Sequence, residues 1–328
     1  MLDTMDRLVS MLRAAGDPTR LRLLLLLRQA ELTVSELIEI VGQSQPRVSR
    51  HLKLLGEAGL VERFKEGSWV FCRAADRGVG SELGRAIAHL ADPALQEADR
   101  ARLAHVREAR AQAAAAYFKA NAAEWERIRA LHAPEREVED AILRQLTAGP
   151  IGDLLDAGTG TGRMLELLAP SAARAVGIDV SSEMLAIARD RLLRANINNA
   201  QVRLADTYRL PFENGDGPGG NVKGFDVVLF HQVLHYLDDP GSAVAEAARV
   251  MARGGRLLIA DFAPHTLEFL RDEFAHRRLG FSDREVEGWF TAAGLAPAGI
   301  QTIAPHAEAG EKLTVKLWLA EKKKKDRG

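Results

Sequence analysis

The sequence predicts a multi-domain protein in which a small, mainly helical domain precedes an α/β domain built on a parallel sheet. Residues 1 to about 80 are rich in leucine and arginine and show short helical patterns that end in a hairpin. From about residue 133 onward, apolar runs alternate with amphipathic stretches, which is typical of β-α units. We expect segments at 1–80, 81–132, 133–320 and 321–328, of which the second forms long helices and the last is a basic tail.

The composition excludes several classes of protein. The net charge is −1, so any nucleic-acid binding depends on a local basic patch. A single cysteine, Cys72, excludes a disulfide framework and a multi-cysteine metal site, and it fits a reducing cytoplasm. The five leucines at 23–27 are too few to span a membrane, and the first residues lack the pattern of a signal peptide. We therefore predict a cytoplasmic protein without a membrane segment.

A helix-turn-helix is predicted between residues 37 and 57. The first helix ends at Gly42, and the second begins at Ser44, a residue type that is preferred as a helix N-cap. The apolar positions of the second helix recur at helical spacing and point inward; they are Val48, Leu52 and Leu55. Its opposite face is polar and basic and carries Gln45, Arg47, Ser49, Arg50 and Lys53, with His51 at the edge. Such a pair of helices is typical of DNA binding.

A β-hairpin follows the second helix. Residues 60–63 and 69–73 have strand patterns, and the glycine of the Glu66-Gly67-Ser68 corner can close the turn between them. Lys65, beside this corner, joins the candidate DNA-binding residues. Cys72 lies on the second strand, where we interpret it as a small buried apolar residue rather than as a redox switch.

Over about residues 5–75 the sequence resembles the ArsR/SmtB-type winged-helix repressors. The resemblance depends on AGDPTRLRLL at 15–24, QSQPRVSRHLKLL at 43–55 and AGLV at 58–61. That family is dimeric and reads palindromic operators with the second helix of the motif. The resemblance therefore implies a homodimer on double-stranded operator DNA, with the polar face of the second helix near bases or phosphates. A winged helix that contacts only proteins is the alternative.

The sequence departs from the metal-sensing members of that family. Those members carry Cys-x-Cys in the first helix of the motif, whereas residues 33–37 here read TVSEL. A second family site uses acid and histidine pairs on the dimer helix, and His89 with Asp92 is the nearest candidate. We interpret both residues as ordinary surface or interface positions, so we expect no metal and a signal that enters through the second domain.

The segment 81–132 is interpreted as dimerisation and linker helices. Its first helix carries an apolar stripe of Leu83, Ile87 and Leu90. In the resembled family, the helix after the wing packs across the two-fold axis. An alanine-rich helix is predicted from about 101 to 123. It is either a rigid spacer packed on the α/β domain or part of a lid over that domain's ligand pocket, formed by Tyr117 and Trp125.

Residues 153–163 read DLLDAGTGTGR, the layout of a strand that ends at a nucleoside pocket. Three glycines allow the backbone to bend sharply and a ligand to approach closely. A dinucleotide fingerprint would require glycine at 163, which is arginine, and no Lys-Ser or Lys-Thr follows to form a P-loop. Asp179 lies one β-α unit later, at the end of a predicted strand, where its carboxylate can accept both hydroxyls of a ribose.

These features resemble the S-adenosylmethionine (SAM) site of class I methyltransferases over about residues 150–262. The pattern continues through predicted strands at 154–157, 175–179, 201–206 and 225–230, and through a helix, a turn and a fifth strand at 249–261. The resemblance implies a Rossmann-like seven-stranded sheet whose last strand, 313–319, is antiparallel. It also implies that SAM or S-adenosylhomocysteine is bound by Asp156, Gly158, Thr159, Gly160, Asp179, Met184, Asp206 and Phe230. Met184 would lie against the adenine, and Asp206 would receive the adenine amino group.

The residues that would catalyse methyl transfer are left unassigned. The reaction requires alignment of donor and acceptor, and removal of a proton where the acceptor carries one. Weak candidates near the predicted strand ends are His231, His235 and Asp261, followed by Tyr236 and His265. Arsenite methylation is disfavoured because it uses several cysteines. Methylation of DNA amino groups is disfavoured because residues 230–233 read FHQV in place of the usual Pro-Pro motif.

Two functions are compatible with these patterns. In the first, an ArsR-type regulator binds SAM or S-adenosylhomocysteine in its second domain, and the ligand shifts operator affinity. In the second, an active small-molecule methyltransferase is fused to its own repressor. Both need the same pocket, so the sequence does not separate them. Since the recognisable ligand site is for SAM, we hypothesise that the regulated genes belong to methionine or SAM metabolism.

Overall fold

The computed structural model describes residues 4–66, 69–75, 78–91, 96–122, 135–149, 151–214, 224–305 and 313–323. The chain divides into two units, Met1–Gln112 and Ala113–Gly328. No helix among these described residues is long and apolar enough to cross a membrane.

The first unit is mainly helical and contains one small sheet. Its elements are α1 (Thr4–Ala15), α2 (Pro18–Leu27), β1 (Leu32–Thr33), α3 (Val34–Val41), α4 (Gln45–Glu57), β2 (Val61–Glu66), β3 (Trp69–Ala74), α5 (Gly78–Leu90) and the first part of α6 (Glu97–Asn121). The three strands are antiparallel in the order β1-β3-β2. The helix-turn-helix and the wing are therefore confirmed, although Gly67 and Ser68 of the wing turn lie outside the described residues.

Local sequence signals determine where these helices begin and end. Thr33 and Glu36 cap α3 reciprocally: the Thr33 hydroxyl accepts from the Glu36 amide, and the Glu36 carboxylate accepts from the Thr33 amide. Gly42 ends α3 in the left-handed region, with a φ of 70°. Asp17 caps α2 by accepting from the Arg20 amide at 3.0 Å. These caps define the start of α2 and both ends of α3, whereas Ser44, the N-cap residue of α4, makes no side-chain cap hydrogen bond.

The core of the first unit lies beneath the helix-turn-helix. The three inward positions of α4, Val48, Leu52 and Leu55, are fully buried there. Leu103 and Val106 of α6 join the same core, so the first part of the long helix belongs to this unit. Cys72 is also buried in it, and burial raises the pKa of its thiol to about 11. The thiol therefore stays protonated near neutral pH, as a small apolar core residue would require.

The second unit is a doubly wound α/β domain. After the end of α6 it contains α7 (Glu135–Leu146), β4 (Asp153–Ala157), α8 (Arg163–Leu168), β5 (Arg174–Asp179), α9 (Ser182–Arg194), β6 (Ala200–Leu204), β7 (Phe225–His231), α10 (Pro240–Val250), β8 (Met251–Phe262), α11 (Phe269–Phe274), α12 (Asp283–Ala292), β9 (Leu295–Ile303) and β10 (Val315–Lys322). The sheet order is β6-β5-β4-β7-β8-β10-β9, and β10 is antiparallel to both neighbours. The predicted seven-stranded sheet with an antiparallel last strand is confirmed.

Alternating residues of the central strands enter two separate cores. Leu154 belongs to the core on one side of the sheet, and its neighbour Leu155 belongs to the other. Val227 and Val228 of β7 divide in the same way. This alternation follows from the two-residue period of a strand. The carboxyl ends of the parallel strands β4, β5 and β7 consequently meet at one edge, where the glycine turn lies.

Two elements lie across boundaries within the chain. Helix α6, which belongs largely to the predicted segment 81–132, begins in the first unit and ends in the second. The basic tail does not begin at residue 321, because β10 continues to Lys322. The Lys322 ammonium donates to the carbonyl oxygens of Ala248 and Met251 at 2.8 and 2.9 Å, which holds this residue on the domain.

Candidate functional sites

The polar face of α4 presents basic side chains to solvent. Gln45, Arg47, Arg50 and Lys53 are exposed, and Ser49 is half-buried. Lys65 is exposed on β2 of the wing. The first acid along α4 is Glu57, which forms a weak exposed ion pair with Lys53 at 3.8 Å. The sequence-predicted DNA-binding residues therefore lie largely on one basic, solvent-facing side of the helix, as contact with phosphates requires.

His51 departs from that set. Its Nδ1 lies 3.7 Å from the Asp17 carboxylate at the start of α2, and its side chain is only 20% exposed. The ring is therefore directed toward α2 and not into solvent with Arg47 and Arg50. The pKa of Asp17 is lowered, chiefly by the backbone hydrogen bond from Arg20 and in part by the nearby charges of Arg20 and His51. The prediction that His51 meets DNA is not supported by its position.

An ion pair that sequence patterns did not predict joins α6 to α2. Arg22 donates two hydrogen bonds of 2.7 Å to the carboxylate of Asp99, which is nearly buried. Arg22 also donates to the Val41 carbonyl, and Arg102 of α6 donates to the Ile40 carbonyl at 3.0 Å. Both carbonyls belong to the last turn of α3, immediately before the turn into α4. Because 77 residues separate Arg22 from Asp99, no local pattern could indicate this contact.

A glycine turn follows β4 in the second unit. Gly158 has a φ of 80°, and a Cβ added there would lie 2.5 Å from a methyl carbon of Val233. Gly162 has a φ of 79°, and its added Cβ would lie 2.9 Å from the Cβ of Ala188. Both positions therefore require glycine for conformation and for space. The amides of Gly158 and Thr159 donate to the Ile178 carbonyl at 2.8 Å, which holds the turn against β5.

Two acids frame this turn. Asp156, at the end of β4, is buried and accepts a 2.6 Å hydrogen bond from the Thr159 hydroxyl. Asp179, at the end of β5, accepts from the amides of Gly160 and Ser181, each at 2.9 Å. Burial raises the pKa of the Asp179 carboxyl, and the backbone hydrogen bonds oppose that effect. A carboxylate has about four lone-pair positions, so Asp179 keeps acceptor capacity for a ribose hydroxyl beside these backbone donors. These residues fit a nucleoside.

The predicted adenine side is covered by the last turns of α6. Met184 is buried in a cluster with Ala122, and Phe118, Ile187 and Tyr236 pack against it. The Phe118 and Tyr236 rings meet edge to face with centroids 4.9 Å apart. These contacts support a lid formed by the end of α6. The predicted lid residues are not among these, since Trp125 and the side chain of Tyr117 lie outside the described part of the chain.

Two other residues that were predicted to bind the nucleoside, Phe230 and Asp206, lie in different surroundings. Phe230 is fully buried in a hydrophobic core of the sheet, and its part in cofactor binding stays a prediction. Strand alternation turns this ring into the core and away from the pocket edge. Asp206 is exposed just beyond β6, where it accepts from the Tyr208 amide at 2.9 Å. The adjacent Ala205 amide donates to the Asp179 carbonyl, so Asp206 lies at the pocket edge and remains a candidate.

Among the catalytic candidates, the structure joins His235 to Asp261. The His235 Nδ1 and Asp261 Oδ1 atoms are 2.7 Å apart, and both side chains are buried. His231 is buried at the end of β7 and is not part of this pair. Burial lowers the pKa of His265 to about 4, so that ring is neutral near pH 7. His276, which sequence analysis missed, places its ring centroid 4.2 Å from that of His235.

The metal candidates of the first unit do not form a described site. His89 is exposed on α5, and Asp92 lies outside the described residues. Within the described ranges, no three histidine, cysteine, aspartate or glutamate side chains are grouped so that they could hold a metal ion.

Two protein families match separate parts of the chain. The family described as bacterial regulatory protein, arsR family, matches residues 17–63, from the cap of α2 into β2. The family described as methyltransferase domain matches residues 155–259, from β4 into β8. The fold and the two sites thus define a helix-turn-helix protein that also carries a methyltransferase domain.

Curated relatives divide between the same two classes. The HTH-type transcriptional repressor SmtB of Mycobacterium tuberculosis is 34% identical over 93 residues, which are 28% of this chain and 69% of the repressor. The demethylmenaquinone methyltransferase of Thermus thermophilus is 32% identical over 162 residues, which are 47% of this chain and 69% of the enzyme. The chain belongs to the arsR family of bacterial regulatory proteins, with a methyltransferase domain fused behind the helix-turn-helix.

Other likenesses are more limited. An uncharacterized 37.1 kDa protein of the Streptomyces fradiae transposon TN4556 is 36% identical over 129 residues, 38% of this chain but only 34% of that protein. The demethylmenaquinone methyltransferase of Tropheryma whipplei is matched over 44% of its length. The complex of the Haloferax volcanii Trm112 methyltransferase activator with a methyltransferase contains a similar chain. That chain is 21% identical with a TM-score of 0.54, covering 66% of this chain and all of the other, and the likeness concerns the fold alone.

Proposed function

We propose that this protein is a cytoplasmic, homodimeric transcriptional regulator that binds operator DNA through α4 and binds SAM or S-adenosylhomocysteine as its effector. The observation that carries the proposal is the glycine turn beside Asp179, in a chain that also presents a basic recognition helix. Gly158 has no space for a side chain, because an added Cβ would lie 2.5 Å from Val233, and Asp179 offers carboxylate oxygens at the end of β5. SAM, when bound, would supply a sulfonium and a nucleoside to this edge.

Helix α6 offers a physical route from effector to DNA. Its first part contributes Asp99 and Arg102 to the contacts that hold the end of α3. Its last turns cover Met184 and Tyr236. We infer that a nucleoside beneath Met184 changes the position or order of this helix and thereby the preferred position of α4. A tenfold change in operator affinity requires only about 1.4 kcal/mol of differential binding.

The test is calorimetry of the purified full-length protein with SAM and with S-adenosylhomocysteine, followed by operator binding with and without each compound. We expect at least one compound to bind and to change operator affinity several-fold. Asp179→Ala should weaken nucleoside binding by at least about tenfold, since hydrogen bonds to a charged group contribute about 1.5–3 kcal/mol. Asp190→Ala, at an exposed acid on α9, is the matched control. Unchanged operator affinity with both compounds would refute the effector role.

A second candidate function is a working small-molecule methyltransferase fused to its own repressor. The specific observation in its favour is the buried His235–Asp261 pair near the nucleoside site. Both functions share the same cofactor pocket. Detection of methyl transfer by the full-length protein would separate an enzyme from a pure sensor, and either could regulate genes of methionine or SAM metabolism.

A further inference from the structure

A buried histidine–aspartate pair lies at the carboxyl edge of the sheet in the second unit. His235 Nδ1 and Asp261 Oδ1 are 2.7 Å apart, and the two side chains are 2% and 0% exposed. Asp261 also accepts from the backbone amides of His235 and Phe262, at 3.3 and 2.8 Å. A carboxylate held by these donors keeps the ring proton on Nδ1, so the lone pair of the neutral imidazole lies on Nε2.

The other ring nitrogen of His235 has no such partner. Nε2 is buried and makes no hydrogen bond within the described part of the chain. Buried polar atoms are nearly always hydrogen-bonded, and an exception in a native structure often marks a reactive group. A histidine that served packing alone would be expected to satisfy both nitrogens. Nε2 is therefore an acceptor that a bound molecule can satisfy.

The pair lies beside the residues of the predicted nucleoside site. Val233, two residues before His235, contacts the position of Gly158 in the glycine turn. Tyr236, the next residue, packs against the cluster of Met184 and lies 4.1 Å from the His235 ring, measured between centroids. The chain on one side of His235 therefore contacts the glycine turn through Val233, and the chain on the other side contacts the Met184 cluster through Tyr236. This position suits a group that acts on the methyl acceptor.

The surroundings of His235 are aromatic. Besides Tyr236, the rings of Phe262 and His276 have centroids 4.9 and 4.2 Å from that of His235. Such rings bind planar molecules by offset or edge contacts. His265, whose pKa is lowered to about 4 by burial, adds no positive charge near pH 7. An imidazole is a moderate base. It can therefore remove a proton from a hydroxyl whose pKa is about 10, as that of the tyrosine side chain is.

We propose that the methyltransferase domain methylates a phenolic hydroxyl and that His235 is its general base. His235 Nε2 accepts the hydroxyl proton while the phenolic oxygen bonds to the methyl carbon. Asp261 stabilises the imidazolium that forms, and the proton later leaves to solvent. SAM supplies the methyl group as a sulfonium, and the electron pair of the broken carbon–sulfur bond stays on sulfur in S-adenosylhomocysteine. The proposal rests on SAM binding as proposed above.

The first experiment measures transfer of a labelled methyl group from SAM to catechol and to 1-naphthol, with cyclohexanol as the non-acidic hydroxyl. We expect transfer to at least one phenol and none to cyclohexanol. His235→Gln should lower kcat at least about 100-fold with the KM for SAM within about twofold, because general base catalysis contributes about 10²–10⁴-fold. His105→Gln, at an exposed histidine of α6, is the matched control and should retain the wild-type rate.

A second measurement does not depend on activity. Nitrogen-15 spectra of the histidine rings in the protein without SAM should show His235 with a protonated Nδ1 and an unprotonated Nε2. Asp261→Asn should abolish that preference. Calorimetry should show that His235→Gln binds SAM as the wild type does, which separates loss of the base from loss of the fold.

The outcomes distinguish this proposal from the one on which it rests. If the wild-type protein binds SAM but methylates neither phenol, the general-base proposal is overturned and the regulator remains. An unaltered rate in His235→Gln, or an Nε2-protonated ring in the wild type, would overturn it as well. If SAM does not bind the wild-type protein, both proposals fail.

Discussion

Two arginines of α4 carry the simplest prediction at the scale of single residues. Arg47 and Arg50 are exposed on the basic face, whereas His51 turns toward Asp17. A bidentate contact between arginine and guanine contributes about 1–3 kcal/mol of discrimination. The length and planarity of the guanidinium group, and not charge alone, make these two positions the best candidates for base recognition.

We therefore expect Arg47→Ala and Arg50→Ala each to weaken operator binding by about 5- to 150-fold, as the contact energy implies. Fluorescence anisotropy with the native operator measures the affinity, and sedimentation should show that the oligomeric state is unchanged. Arg189→Ala, at an exposed arginine of α9, is the control. Wild-type affinity in both α4 variants would show that another surface contacts the DNA.

Gly158 carries a second prediction at this scale. Its φ of 80° is strained for any other residue, and an added Cβ would meet Val233 at 2.5 Å. Gly158→Ala should therefore distort the turn and lower SAM affinity at least about tenfold, which corresponds to about 1.4 kcal/mol. Calorimetry measures the affinity, and a thermal melt shows whether the domain stays folded.

Gly149→Ala provides the matched control for that substitution, because an added Cβ at Gly149 meets nothing within 4 Å. We expect this variant to bind SAM as the wild type does. If the two alanine variants bind SAM equally well, the turn after β4 is not the site of the nucleoside.

The sequence predicted the site residues whose function depends on local backbone conformation or on their place at the end of a strand. The glycines come directly after β4 and Asp179 ends β5, so their spacing in the sequence was sufficient to predict where they lie. The sequence did not predict that Phe230 is buried in the core or that His51 turns toward Asp17, because the directions of these side chains depend on packing against other elements. Asp261 was only one of several weak candidates, since its partner His235 lies 26 residues away and the hydrogen bond between them appears only in the folded chain.

At the scale of elements, α6 is held to the helix-turn-helix by a partly buried ion pair, in which Asp99 is nearly buried and the Arg22 side chain is 33% exposed. Asp99 accepts two hydrogen bonds of 2.7 Å from Arg22. Removal of one partner from such a pair leaves the other charge poorly solvated, and this costs more than the pair itself contributes. The contact therefore keeps the first part of α6 beside the end of α3.

Asp99→Asn should loosen this connection. We expect the free energy of local opening at the end of α3 to fall by about 1.5–3 kcal/mol, the usual contribution of hydrogen bonds to a charged group. Hydrogen exchange of the backbone amides around residues 40–42 measures the opening. Asp190→Asn, which alters an exposed pair with Arg194, should leave that exchange unchanged. Protection equal to the wild type in Asp99→Asn would exclude a role of this ion pair in positioning α3.

The type and order of the elements were largely predictable, and their ends were less so. Capping residues and glycines predicted α3 and α4, and alternating apolar runs predicted the parallel strands. The extent of β10 was underestimated because Glu321 and Lys322 look like part of a charged tail. They are strand residues because they pair with Ala296 and Leu295 of β9, a contact that local sequence does not encode.

At the scale of the whole molecule, the regulator is predicted to act as a homodimer. Leu90, at the end of α5, is 81% exposed in the single chain. Burial of one leucine contributes about 1.5–3 kcal/mol, and a two-fold axis would use the contact twice. We expect a mass near twice 35.8 kDa in sedimentation equilibrium.

Leu90→Glu should shift that equilibrium toward the single chain and weaken operator binding. Leu193→Glu, at a leucine of α9 that is 76% exposed, is the matched control and should sediment as the wild type does. Dimers of undiminished stability in Leu90→Glu would place the two-fold interface elsewhere.

The sequence by itself determined that this chain joins a winged helix-turn-helix to a SAM-type nucleoside turn. Those motifs are local, because caps, glycine conformations and strand alternation act over a few residues. Only the tertiary structure decided that α6 contributes to both units, that Arg22 meets Asp99, and that His235 meets Asp261. Such contacts join residues far apart in the chain, and they arise only when burial brings charged and polar groups to partners that can satisfy them.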